Sequence, residues 1–181
     1  MSQTLRAVAA TAQRLQSAST TFLPQRRLIV PNGVSEPTGQ LLKDLETLAS
    51  AAHSAADSVL CSSILAGHSS ESDDFADVSV WLGPGSYGKG NEQTVLNKLG
   101  LDSKGGRVSS VDLSAQCIPV TVNMESSTPQ MADLSAQLAN LKDLHCFLMH
   151  PTSGSDVIYS LIGKHANGWG GLVGIGTWSD D

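Results

Sequence analysis

Residues 76–99 read ADVSVWL, then GPGSYGKGN, then EQTVLNKL. No other stretch constrains the fold as tightly. Ala76–Leu82 alternates as a strand does, and Val95, Leu96 and Leu99 then recur at helical spacing before Gly100 stops the helix. A strand that hands over to a helix through a tight glycine turn has to lay that helix against its own sheet. The chain is therefore expected to be a layered α/β protein.

The rest of the chain is read by the same rules. Leu28–Val30 is a short apolar run stopped by Pro31-Asn32-Gly33. A helix is expected over 38–57, with Thr38 at its start and Leu41, Leu42, Leu45 and Leu48 on one face. Val59–Ala66 fits helix or strand equally well, and the polar, acidic run 68–74 reads as a solvated loop. Lys104-Gly105-Gly106 is a turn, 107–113 a strand, and 117–122 an extended segment whose Pro119 suits a sheet edge. Thr128 and Pro129 open a helix to Leu141, with Met131, Leu134, Leu138 and Leu141 on one face. A short strand at 147–149, a helix from about Ser155 to His165 and a final strand at 172–178 complete the series. Strands alternating with helices imply a single layered domain with a largely parallel, Rossmann-like sheet flanked by helices.

Charge is distributed unevenly. Residues 1–35 carry Arg6, Arg14, Arg26 and Arg27 and no acid, a formal +4, whereas the remainder holds 7 basic and 17 acidic residues, a formal −10. So acidic a body repels phosphate backbones, so nucleic acid is not an expected partner. Leu5, Val8, Ala12 and Leu15 recur at helical spacing in the basic start. Amphipathic, Arg-bearing and free of acid, this segment has the composition of an organellar transit peptide. Residues 1–27 are thus expected to form a targeting or docking arm, and 28–181 a single α/β domain. No apolar run approaches bilayer length, so no membrane span is expected. Cys61, Cys117 and Cys146 are odd in number and far apart. They read as reduced thiols rather than a disulfide framework.

The glycine-rich turn fits two phosphate-binding patterns. Gly83-Pro84-Gly85-Ser86-Tyr87-Gly88 satisfies G-x-G-x-x-G between a strand and a helix, and Asp112 lies 24 residues beyond Gly88. Over residues 76–113 the chain resembles a Rossmann-type dinucleotide-binding unit. That resemblance implies loop amides on a pyrophosphate and an acidic contact to a ribose. Pro84, however, supplies no N–H to such a loop. Gly83, Gly88 and Lys89 also match the Walker A pattern, but Gly90 stands where a Ser or Thr would ligate magnesium, which argues against a nucleotide hydrolase.

Other candidates have plain structural readings. His145 and Cys146 fall on opposite faces of any strand, which makes a shared metal site with His150 poor. His150 with Ser153 or Ser155, oriented by Asp156, has the residue types of a base and nucleophile, but Ser155 and Asp156 equally suit a helix cap. The C-terminal NGWGGLVGIGTW lets another element or another chain approach closely at its glycines, with Trp169 and Trp178 as core residues or partner anchors.

Together these features point to a soluble organellar α/β protein with a binding or structural role, an accessory subunit of a larger complex with protein partners being one such role. Its expected location is the mitochondrial matrix, with chloroplast or cytoplasm as alternatives. The alternative function is a small enzyme or binding module for a phosphorylated ligand or nucleotide. In that case Gly83, Gly85, Ser86, Gly88 and Lys89 hold the anion, and Asp112 contacts a sugar. The residue pattern assigns no catalytic group, metal or definite cofactor.

Overall fold

The structure, a computed structural model, describes residues 3–71, 74–101, 106–122 and 127–178. Among these residues, four helices pack on a seven-stranded sheet. In chain order the elements are α1 (Gln3–Arg14), β1 (Thr20–Leu23), β2 (Leu28–Pro31), α2 (Gly39–Ser58), β3 (Val78–Gly83) and α3 (Glu92–Lys98). They continue with β4 (Gly106–Val111), α4 (Pro129–Leu138), β5 (Lys142–Pro151), β6 (Asp156–His165) and β7 (Gly168–Thr177). A 3-10 turn, Gly67–Ser69, interrupts the connection between α2 and β3.

The sheet order is β1-β2-β3-β7-β6-β5-β4, and only β2 and β3 run parallel. The remaining neighbours, from β1–β2 to β4–β5, are antiparallel. This corrects the expectation of a largely parallel, Rossmann-like sheet. The segment expected as a helix over 155–165 is strand β6, paired along its length with β7 from Asp156↔Thr177 to His165↔Gly168. Its sequence misleads because Ile158, Leu161 and Ile162 also satisfy helical spacing. Buried on both faces, β6 offers no polar alternation to distinguish it from a helix. Loops as short as 152–155 and 166–167 then force β5, β6 and β7 into a meander, since parallel neighbours need a long crossover. The one such crossover is β2–α2–β3.

Other expectations fare better. Helix α2 falls within a residue or two of its expected span, and Leu45 and Leu48 are buried while Leu41 and Leu42 pack half-buried near Trp81. Thr38 holds the N-cap position of α2 without a side-chain hydrogen bond. Thr128 does cap α4, its Oγ1 accepting from the Met131 amide at 3.1 Å, with Pro129 at the first helical position. Segment 117–122 makes turns and one bridge, Leu113↔Pro119, rather than a strand. The expected turn at Lys104-Gly105 lies outside the described residues, as do Ser72 and Asp73 of the acidic loop.

Successive strand residues point to opposite faces, and each face has its own core. On one, Leu48, Ala52 and Ala55 of α2 meet Leu134 and Leu138 of α4 above Val157, Tyr159, Leu161 and Leu172. The alanines bring α2 close to the sheet, which suits a chain with few aromatic residues. On the other, Val8 and Leu15 of α1 and Val95 and Leu96 of α3 cover Val80, Leu82, Phe147, Ile162 and Val173. Helix α1 is also bonded to the body. Thr11, fully buried, donates from Oγ1 to the Ala76 carbonyl at 2.5 Å. Arg14 pairs with Asp156 at the start of β6, and its guanidinium lies 5.2 Å from the Phe75 ring centre.

Burial of Val8, Ala12 and Leu15 predicts the cost of losing this helix. At roughly 1.5–3 kcal/mol per large buried side chain, deleting residues 1–15 should lower the unfolding free energy by about 4 kcal/mol or more. Urea denaturation reads this directly. An unchanged midpoint would show that α1 is not part of the core.

A candidate docking loop at the end of strand β3

The loop leaving β3 is held from beneath by two side chains of the meander. Gly83 ends the strand opposite Trp169, with φ at +78°. Pro84, Gly85 and Ser86 then run exposed, Tyr87 turns inward and is buried, and Lys89 and Gly90 return to the surface. The indole Nε1 of Trp169 donates to the Gly85 carbonyl at 2.9 Å. Nε2 of His145, on β5, donates to the Tyr87 carbonyl at 2.8 Å, so this nitrogen carries the proton. The His145 ring is itself stacked on Phe147, 5.7 Å between centres. Gly85 has φ at +152°, and a Cβ there would lie 2.6 Å from the Tyr87 ring, so no larger residue fits this path.

The two pins fix which way the loop presents its donors. A trans peptide points its N–H opposite its C=O. Tying the Gly85 and Tyr87 carbonyls down therefore turns the amides of Ser86 and Gly88 outward, away from the body. The Gly88 carbonyl closes the turn by accepting from the Asn91 amide at 2.9 Å. The result is a loop carrying two outward donors and the ammonium of Lys89.

Gly83, Gly85, Ser86, Gly88 and Lys89 thus share one loop, as their spacing dictates. Asp112 stands differently. It follows β4 at the far edge of the sheet, with β7, β6 and β5 between β4 and β3. Its carbonyl accepts from the Val120 amide at 3.0 Å. In a dinucleotide unit the ribose acid ends the strand beside the glycine strand. Here Asp112 lies next in register to face His145, beyond the Val111↔Cys146 pair.

The remaining sequence candidates have structural employment. His150 packs its ring edge-on to Trp178, 4.7 Å between centres, and Asp156 pairs with Arg14. Among the described residues no hydrogen bond links His150 to Ser153 or Ser155. Cys146 is buried, and burial pushes its thiol well above the ordinary cysteine range, far from a reactive thiolate. No group of three or more His, Cys, Asp or Glu able to hold a metal ion occurs among the described residues. Likewise, no helix among them is long and apolar enough to cross a membrane. A cleft of about 770 Å³ opens on the opposite face between α2, α4 and the β6–β7 turn, lined in part by Gln40, Asp44, Asn140 and His165. Burial pulls the His165 imidazole down, and Asp44 partly offsets it.

One important group escaped the sequence reading. Asp77, fully buried, accepts from Ser63 Oγ at 2.6 Å and from the Ile64 amide at 2.7 Å. His53 Nε2 donates to its backbone carbonyl at 2.8 Å. The acid thereby clamps the 63–66 turn to the start of β3. The signal was present: an acid embedded in a run, FADVSVWLG, that is otherwise apolar or small.

No family model, curated protein or solved structure matches the chain.

Burial pushes the Asp77 carboxyl above its ordinary range, its hydrogen bonds offsetting this only in part. The native state therefore holds this proton more tightly than the unfolded chain. Stability from Asp77 is present at acid pH and falls as pH rises from about 4, the unfolded value, to the raised native value. In Asp77→Asn that dependence is absent. The difference in unfolding free energy between wild type and variant should thus shift against the wild type as pH rises from about 4. A flat or opposite difference would show that Asp77 is not protonated preferentially in the native state.

Proposed function

We propose that this chain is a protein-binding α/β module, an accessory component of a larger assembly, which presents the Gly83–Gly90 loop as a rigid docking element. The observation that carries this reading is the double pinning of the loop, Trp169 on the Gly85 carbonyl and His145 on the Tyr87 carbonyl. A loop already held in one conformation loses little further freedom on binding, so its contacts count almost in full toward affinity.

The basic, acid-free start of the chain carries the accompanying proposal of residence in the mitochondrial matrix. The packing of α1 and β1 into the body goes with retention of that segment rather than its removal. A second reading, a phosphorylated small ligand or nucleotide on the same loop, is supported by the outward amides of Ser86 and Gly88 and by Lys89.

A photo-crosslinking residue at Ser86, introduced into cells, separates the two. The docking reading expects one adduct of defined mass in the mitochondrial fraction, lost in Gly85→Val. Nucleotides and dinucleotides should leave the melting temperature of the pure protein unchanged. No adduct, together with nucleotide stabilisation that vanishes in Lys89→Ala, would replace docking by ligand binding.

A further inference from the structure

The cleft of about 770 Å³ between α2, α4 and the β6–β7 turn lies on the face opposite the loop and has the volume of a small-molecule site. Its walls follow from the local sequence. Helix α4 ends at Leu138, and the turn after it, closed by the Leu141 amide on the Leu138 carbonyl at 3.1 Å, brings Asn140, Leu141 and Lys142 to the cleft. Leu141 lies directly over Gly163 of β6, where an added Cβ would come within 2.9 Å of it. Helix α2 supplies Gln40, Asp44 and Leu48, and the β6–β7 turn supplies Lys164 and His165.

Three charged side chains line this space, Lys142, Lys164 and Asp44. The two lysines are partners in register between β5 and β6, and neither has an ion-pair partner among the described residues. Asp44 accepts from Gln40 Nε2 at 2.9 Å through one carboxylate oxygen. Two cations against one acid make the lining positive in a chain whose net charge is −6. Burial pulls the His165 imidazole down, so at neutral pH it adds hydrogen-bonding atoms rather than charge. Its Nε2 is buried with no hydrogen-bond partner among the described residues, a costly state that an occupant of the cleft relieves. Asn140 and Asn167 each offer a donor and an acceptor, as a peptide bond requires, and Leu41, Leu48 and Leu141 add apolar surface.

These parts match one class of molecule. Carboxylates suit the lysines, an amine suits Asp44, and an amide between them suits the carboxamides. A purely anionic ligand would use the lysines but meet repulsion from Asp44.

We propose that the cleft binds a small zwitterionic peptide of dipeptide size, its carboxylates held by Lys142 and Lys164, its amine by Asp44 and its peptide bond by the carboxamides. The site lies away from the loop and does not depend on the docking reading.

The test uses the full chain and the dipeptide Leu-Glu, which sets two carboxylates against the two lysines and one amine against Asp44. Binding is followed by titration calorimetry. Acetylating the amine should weaken binding by about tenfold, and this comparison needs no variant. Lys164→Gln should weaken the free dipeptide by a similar factor. In Asp44→Asn the free and acetylated dipeptides should bind alike, because the group that distinguishes them is gone. Lys164 and Asp44 are exposed, so the unliganded variants should melt near the wild type. Four outcomes would overturn the proposal. They are no binding of Leu-Glu, binding of inorganic phosphate or glycerol phosphate in its place, equal binding of the free and acetylated dipeptides by the wild type, and a Lys164→Gln variant that binds normally.

Discussion

Strands β3 and β7 pair from Val78↔Val173 to Gly83↔Trp169, and this seam joins the two halves of the molecule. On one side lies the parallel β2–α2–β3 unit, on the other the β5–β6–β7 meander. Close approach across the seam depends on small residues in β7. A Cβ at Gly170 would lie 2.8 Å from the Val80 carbonyl oxygen and 2.9 Å from the Trp81 ring. One at Gly174 would lie 2.8 Å from Ser63 Oγ and collide with the Asp77 carboxylate. The glycine-dense C-terminal segment therefore makes room for the chain's own β3 and for the turn that Asp77 clamps.

The same seam builds the candidate site. Its last pair, Gly83↔Trp169, sets the indole directly beneath the loop that leaves β3. From two strands further along the sheet, His145 reaches the Tyr87 carbonyl. The loop is thus oriented by the meander and not by its own helix. That distinction decides its chemistry, because carbonyls held inward leave amides outward.

Much of the architecture was legible in the residues. The stretch from Ala76 to Leu99 announced strand, turn and helix, and Thr128-Pro129 announced the start of α4. Periodicity gave out where a strand is buried on both faces: DVIYSLIGKH satisfies helical and strand spacing alike. Reading it as a helix turned a hairpin meander into an apparent parallel crossover, and the error in sheet class followed from that one segment. At the site, the glycines and Lys89 were visible as a pattern, but Trp169 and His145 were not. They lie about 60 to 80 residues away along the chain, and only the strand order brings them under the loop. Asp112 illustrates the converse, since a correct sequence interval does not place a residue on the neighbouring strand.

Two donors from the meander hold the loop's carbonyls inward and its amides outward. Site-resolved hydrogen exchange tests it most directly, because a donor held in a buried hydrogen bond exchanges slowly and a solvated amide exchanges fast. Slow exchange is expected at the Trp169 indole N–H and rapid exchange at the Ser86 and Gly88 amides. Protected Ser86 and Gly88 amides together with a freely exchanging Trp169 indole would contradict it.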